Sequence, residues 1–414
     1  MSTQVHANLT EEQVTEISDD LGEPEWLLET RLEALEAMKD LEMPEVIRTP
    51  GRDWTNLDAL EYREFVDPLD RAQEKDRVEA EGVDVLAWEE ALEQHGDRIE
   101  EHFGSIVDPQ RNYLTALSTA LFSAGTVVYV PEGVAAEDVK IRTRMNSQSL
   151  FNYTLVIAEE SASVTILERQ STGDESEAQS ASDASGEAAS PRFYSGVVEA
   201  VAEENAHIQY GALQNLSEET YNYQVKRGHA ARHGQVNWIE GNIGTRLTKT
   251  SVETRLLGEG SESRIVGAFF GHEDQHFDLG SRVWHENEHT TADLVTRGVL
   301  DDSSRSVYEG VQDVGREAWD TNSYQRENTL LLSDDAEADA SPKLIINNHD
   351  TEASHSATVG QVDDEEMLYM TSRGLDEERA TNMLVEGFFV PVLEEVAVDE
   401  LREDLGDLIA ARLR

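Results

Sequence analysis

His207-Ile208-Gln209-Tyr210, Gln235-Val236-Asn237-Trp238-Ile239, Arg264-Ile265-Val266-Gly267-Ala268-Phe269 and Ala292-Asp293-Leu294-Val295 are four short β-type runs within residues 207–295. Their apolar residues Ile208, Val236, Ile265 and Leu294 stand 28, 29 and 29 positions apart. A period of that length, in short strands with no helical pattern between them, predicts a β-solenoid. Each coil there buries its apolar face only by stacking on its neighbours. A β-sandwich also uses short strands, but nothing in its turn spacing demands such a period.

Similar runs extend the pattern in both directions. Upstream lie Thr126–Val130, closed by Pro131-Glu132-Gly133, then Tyr153–Ala158 and Ala162–Leu167; downstream lie Arg305–Tyr308 and Lys343–Ile346. The β texture starts near Tyr113, and residues 111–360 are assigned to this core. Within it, residues 171–192 are rich in Ser, Ala, Asp and Glu, and read as an acidic low-complexity surface excursion. Residues 1–110 read as a helical domain. Glu25 opens a helix with Trp26, Leu27, Leu32, Leu35 and Met38 on roughly one stripe, and Val85–Phe103 forms another with Leu86, Trp88, Leu92 and Ile99. Residues 361–414 turn helical again. Asp363–Glu366 place acids in a first turn, Gly374 suits a C-cap, and Leu401, Leu405, Leu408 and Ile409 line a last helix. These terminal apolar faces fit a docking surface or packing on the end of the solenoid.

The 414 residues carry 85 acidic and 33 basic side chains, a formal charge of −52. Self-repulsion on that scale opposes a compact state in dilute buffer. At molar salt, where the Debye length is about 3 Å, most of it disappears. The acidity is spread along the whole chain, the pattern of a cytoplasmic protein in a salt-accumulating cell. A nucleic-acid mimic or an acidic tail would concentrate it in blocks. Nucleic-acid binding is disfavoured, since it needs clustered cations. The absence of cysteine excludes disulfides, thiolate catalysis and a cluster held by this chain's own thiolates. No signal-peptide pattern opens the sequence, and the longest apolar run, Phe388–Leu393, is too short to cross a bilayer. A cytoplasmic protein without a membrane partner is expected.

Two strings match the zinc pattern H-E-x-x-H: His272–His276 and His285–His289. That chemistry needs both histidines one helical turn apart, with the Glu beside the metal-bound water. Both strings lie among β-type runs, and on a strand residues four apart are roughly 13 Å apart. A zinc-dependent hydrolase using His272, Glu273 and His276 is the alternative function. His229 and His233 read as residues of a basic turn. No P-loop or G-x-G-x-x-G occurs, so no ATP-hydrolysing site is visible. His355 follows a polar run just before the helical pattern resumes. A neutral imidazole there suits metal ligation or proton transfer, and a hydrogen-bonded structural histidine is the simpler reading.

Further strings carry a resemblance. They are Gln275-His276-Phe277-Asp278 with His285 downstream, Thr296–Asp302, Arg305–Gly310, Thr321–Gln325, Asn328–Ser333, His355–Gly360 with Ser372-Arg373-Gly374, and the opening Glu23–Leu27. Together they resemble the SufB/SufD family of iron–sulfur cluster assembly scaffolds, in a haloarchaeal-type composition. The match is close from about Gln275 to Gly387 and loose elsewhere. The resemblance implies a mainly β fold: a right-handed parallel β-helix core with N-terminal and C-terminal α-helical regions. It implies a non-catalytic scaffold, joined to a SufB-like paralogue through the β-helix and to a SufC-like ABC ATPase through the C-terminal helices. A homodimer is implied for the isolated chain. B-type members carry a cluster-nucleating Cys and a Glu directly after the interface His. Here Cys is absent and Ser356 follows His355, so the chain looks D-type. His355 becomes the candidate iron or Fe–S cluster ligand at the SufB interface. Many D-type members have Cys two residues before this His; here that place is Ala353, so His355 acts alone or the partner supplies all ligands. No tightly bound cofactor is implied beyond a transient cluster at the interface, and flavin binding is left open.

Overall fold

The computed structural model describes residues 9–46, 55–57, Leu60, Tyr62, Phe65, 77–78, 81–173, 190–396 and 398–413. The acidic excursion expected at 171–192 falls, apart from its two ends, outside them.

The strands in chain order are β1 (Arg77–Val78), β2 (Asp84–Leu86), β3 (Ala124–Val130), β4 (Ala135–Met145), β5 (Ser149–Ala158), β6 (Ser163–Thr172), β7 (Arg192–Ala202), β8 (His207–Asn215) and β9 (Thr220–Ala230). They continue as β10 (Gln235–Asn242), β11 (Leu247–Leu256), β12 (Glu262–Gly271), β13 (His276–His285), β14 (Thr291–Leu300), β15 (Arg305–Val314), β16 (Thr321–Leu331), β17 (Glu337–Ile346) and β18 (Thr351–Gln361). From β3 onward the odd strands stack in one sheet and the even strands in another, every neighbour parallel. Each coil therefore contributes one strand to each face of a flattened solenoid, as the repeat predicts. The antiparallel β2 and β1 close the two sheets at the N-terminal end.

The register corrects the alignment in one place. Ile208 pairs with Val236, but Val236 pairs with Ser263, and Ile265 pairs with Trp238. The two central runs are thus offset by two residues from the apolar match. A slip of two returns a strand side chain to the same face, so the inward pattern survives the error. The true inward rungs run Ile166, Tyr210, Trp238, Ile265, Leu294, Gln325 and His355. The first six are almost fully buried.

In six successive coils one corner is a left-handed residue whose N–H donates to a carbonyl of the next coil. The series is Gly133 to Glu160, Ser161 to Glu204, Asn205 to Arg232, His233 to Glu259, Gly260 to Glu288 and His289 to Trp319, at 2.8–3.0 Å. All six have φ between 54° and 69°. The spine satisfies corner donors that would otherwise be lost and pins coil to coil. At Gly260 the absent side chain also matters, because a Cβ there would lie 2.3 Å from His233 Nδ1.

Helices cover part of the outer face of each sheet, so strands beneath them such as β5 and β7 are buried on both faces. Helices α1 (Glu11–Leu21), α2 (Glu25–Ala37), α3 (Trp88–His102) and α4 (Tyr113–Leu121) pack with Tyr153, Leu155, Val197 and Val225 of the odd sheet. Two of these depart from expectation. Val85-Leu86 belongs to β2, so the helix starts at Trp88; and the β texture expected from Tyr113 opens with a helix, capped by Asn112, whose every residue is buried. A helix buried all round has no polar stripe to betray its period. On α2 the buried stripe is Leu27, Arg31 and Ala34. The Arg31 guanidinium binds Glu23 and donates to the carbonyls of Ala120 and Phe122 that end α4. Glu199 of β7 adds a second lock, accepting from the N–H groups of Gly104, Ile106 and Val107 at 2.7–3.1 Å. Burial pushes its carboxyl up to about 7, against the pull of those donors.

At the other end follow α5 (Asp364–Ser372), α6 (Glu377–Glu395) and α7 (Asp399–Arg412). Val385, Phe389, Val392, Leu401, Leu405 and Ile409 pack on Leu213, Ile239, Val266 and Phe270 of the even sheet. These helices lie along an outer face of the solenoid and not on its end, where packing was one expectation. The end is left open. Among the described residues no helix is long and apolar enough to cross a membrane.

Candidate functional site

β17 and β18 are the last strands of their sheets, and each has one edge without a strand partner among the described residues. Natural sheets blunt such edges with short strands, lysine, proline or a covering helix, because free N–H and C=O groups template pairing. β17 carries Pro342 and Lys343; β18 carries neither over 11 residues. Nearly all of β18 is exposed, and Ile345, Ile346 and Val359 are each over 40% exposed. Two adjacent edges of this kind, with exposed apolar side chains on both strands, have the groups that strand addition uses.

His355 sits in the middle of β18, short of the junction with the helices. Its register partner is Gln325, so its ring stands on the inward rung that runs back to Ile166, exposed only because no further coil covers it. Ala353 stands over Ser323 and Ala357 over Glu327. Beneath the histidine the interior changes character. β14 presents Ala292 and Leu294 inward; β16 presents Ser323, Gln325, Glu327 and Thr329, all buried. Burial pushes the Glu327 carboxyl up to about 7, against a hydrogen bond from Thr329 that draws it down.

Deeper in the solenoid lies a second polar layer. Lys226 Nζ contacts both Glu240 oxygens at 2.8–2.9 Å, with both side chains buried. Glu168 accepts from Thr143 and from the Tyr210 hydroxyl. Burial raises Glu240, and Lys226 beside it draws it back. Sequence reading missed Lys226, Glu240, Gln325 and Glu327; the signal available was a run of polar residues at alternate positions, Ser323, Gln325, Glu327 and Thr329, inside a strand.

Neither H-E-x-x-H string is helical. His272 and Glu273 occupy the turn between β12 and β13, with Glu273 at φ 51°, and His276 begins β13. The His272 ring is engaged by Glu218, which raises it against the opposing charge of Arg412 beside it, while His272 and then Arg412 lower Glu218 to about 2. His276 Nδ1 faces the Thr55 carbonyl at 3.3 Å. His285 is buried between Thr290 and Gln312, and burial lowers it to about 4. His289 lies at an exposed corner against Asp320. Among the described residues, the one group of three ligating side chains with donors within 4.8 Å is the exposed Glu259, Glu288 and His289. The candidate zinc set His272, Glu273 and His276 is therefore not assembled. His229 also departs from expectation: it lies in β9, partly buried, and only His233 is in the turn.

Residues 141–388 match the family described as SUF system FeS cluster assembly, SufBD core domain, and residues 53–141 match the SufBD protein N-terminal region. An iron-sulfur cluster assembly SufBD family protein of Staphylococcus epidermidis is 28% identical over 436 residues, covering 94% of this chain and 90% of its own. Counterparts of the same description in Staphylococcus haemolyticus and Staphylococcus aureus are 28% and 27% identical over the same span. With a core match over more than half its length and an open parallel solenoid to carry it, the chain belongs to the SufB/SufD family of iron–sulfur cluster assembly proteins.

Proposed function

We propose that this chain is the D-type, non-catalytic scaffold subunit of a cytoplasmic SufBCD-like complex. The observation that carries the reading is the pair of open edges with His355 on the terminal inward rung. A SufB-like paralogue would add its own strands to β17 and β18, continuing both sheets across the interface. In the isolated chain a second copy would take that place, giving a homodimer. The imidazole at the joint would face the partner's thiolate and carboxylate ligands, so a nascent iron–sulfur cluster, the product being built, would be held between the two chains. Ser356 supports the D-type assignment, because the B-type Glu is missing beside His355 and no cysteine is present to nucleate a cluster alone. A SufC-like ABC ATPase would dock on the C-terminal helices. Its site there is α5, which buries none of its residues and exposes Leu368 by 69% and Tyr369 by 62%.

His355→Ala tests the role of the joint. In the reconstituted complex under anaerobic conditions, the variant should assemble with unchanged stoichiometry, since an exposed residue in a strand contributes little to the fold. Its cluster loading, followed by visible absorption and by iron and sulfide content, should fall at least tenfold. Unchanged loading would remove His355 from the site.

A further inference from the structure

Between α7 and the outer face of the even sheet lies an open cleft of about 600 Å³, within the size range of small-molecule sites. Its sheet wall is cationic. Arg142 of β4 and Arg169 of β6 are register partners, Arg144 and Ser171 are the next such pair on the same face, and all four line the cleft. Parallel neighbours are about 4.8 Å apart, so two guanidiniums are rooted side by side with a third two residues along. Like charges so placed oppose the fold, and an anion bound between them relieves that cost. In a chain of net charge −52 the concentration runs against the average surface. The same rungs continue on β8 with Leu213 beside Arg169 and Asn215 beside Ser171. From the facing helix Leu408, Asp404 and Asp407 complete the walls. Glu400 and Asp404 hold Arg169 from the helix side, and Glu400 also binds Lys140. The Arg169 Nε–H is nevertheless buried with no partner among the described residues. Buried donors almost always have one, so this wall of the cleft still calls for an acceptor.

We propose that this cleft binds a phosphorylated small molecule of nucleotide size. Its phosphates would lie on Arg142, Arg144 and Arg169, and its apolar body against Leu213 and Leu408. Guanidinium forks match phosphate oxygens in pairs. A rung of two arginines with a third about 7 Å along the strand suits a diphosphate. Ser171 and Asn215 add neutral donors beside them, and Asp407, exposed on the helix, would accept from a hydroxyl or amino group of the ligand. The two aspartates limit how much negative charge the cleft takes, which favours a ligand that shares its affinity with an apolar body over a bare anion. The site stands apart from the open strand edges and does not depend on the scaffold reading.

The test is isothermal titration calorimetry of the full chain in molar KCl, with ADP as the probe and pyrophosphate and adenosine as its two halves. Diffuse attraction contributes nothing, because the surface is anionic and the salt screens it. ADP should bind one to one, roughly tenfold or more tighter than either half, since charge-assisted pairs and apolar contact each supply part of the affinity. Arg142→Gln with Arg144→Gln, both on the outer face of β4, should weaken ADP by roughly tenfold or more. Arg169→Lys keeps a charge facing Glu400 and Asp404 but loses the fork, and should weaken it about fivefold. Arg232→Gln removes one charge at an exposed corner and should leave ADP binding unchanged. Thermal melts check that each variant is folded, and the comparison of ADP with its halves needs no variant. Absence of ADP binding to the wild-type chain, ADP binding indifferent to the arginine variants, or pyrophosphate binding as tight as that of ADP overturns the inference.

Discussion

Lys226→Met should lower the unfolding free energy by about 3–5 kcal/mol, more than any other single change considered. The substitution keeps most of the side-chain volume but strands the Glu240 carboxylate inside the solenoid, where its two contacts to Lys226 Nζ are the compensation visible for its charge. A buried pair is often no better than a well-packed apolar pair, because two desolvation penalties oppose the attraction. Lys226→Met combined with Glu240→Leu should therefore recover most of the loss, or exceed wild type. The recovery is limited by the contact of Lys226 with the Tyr210 ring, 5.8 Å from its centroid, which methionine replaces only in part. Denaturant unfolding in molar KCl measures both. A single variant within 1 kcal/mol of wild type, or a double variant no better than the single, would contradict this reading.

The second large effect concerns binding and spares the fold. Leu368→Asp with Tyr369→Asp should leave the melting temperature unchanged, since α5 buries nothing in the chain alone. Affinity for the proposed SufC-like ATPase should fall on the order of 100-fold or more, the loss expected if these two apolar side chains are its anchors. Apolar contact is the suitable mode for a chain of this charge: at molar salt surface ion pairs are screened while hydrophobic burial is retained. Titration of the ATPase onto immobilised wild-type and variant chains decides it. Equal affinities would place the ATPase elsewhere.

How much of this was legible in the sequence varied with how many faces of each element are buried. The solenoid could be read because its period appears in inward residues such as Ile265 and Leu294, and because a two-residue slip at Val236 leaves the face unchanged. The second strand of most coils could not. β9 alternates, but with its polar residues Asn222, Gln224 and Lys226 buried inside the solenoid and Tyr223 and Val225 under the helices; β7 buries both faces, one inside the solenoid and one under the N-terminal helices, and so shows no alternation. α4 was hidden for the same reason. His355 was found through its motif, but its position as the last rung of a ladder depends on register, which no local pattern reveals. The polar layer of β16 was written in plain sight as Ser323, Gln325, Glu327 and Thr329; alternating polar residues ordinarily mark the solvent face of a strand, and only the stacked register turns them inward. The zinc pattern failed for a complementary reason. In a chain with 85 acidic residues, Glu beside His is common, and the turn at Glu273 separates what a helix would join.

The measurement that tests the central claim most directly is affinity purification of this chain from its own cell at molar salt, with mass spectrometry of what accompanies it and metal analysis of the product. The account predicts a cysteine-bearing paralogue and an ABC ATPase, retained together. A chain recovered alone and carrying stoichiometric zinc would contradict it and return attention to His272, Glu273 and His276.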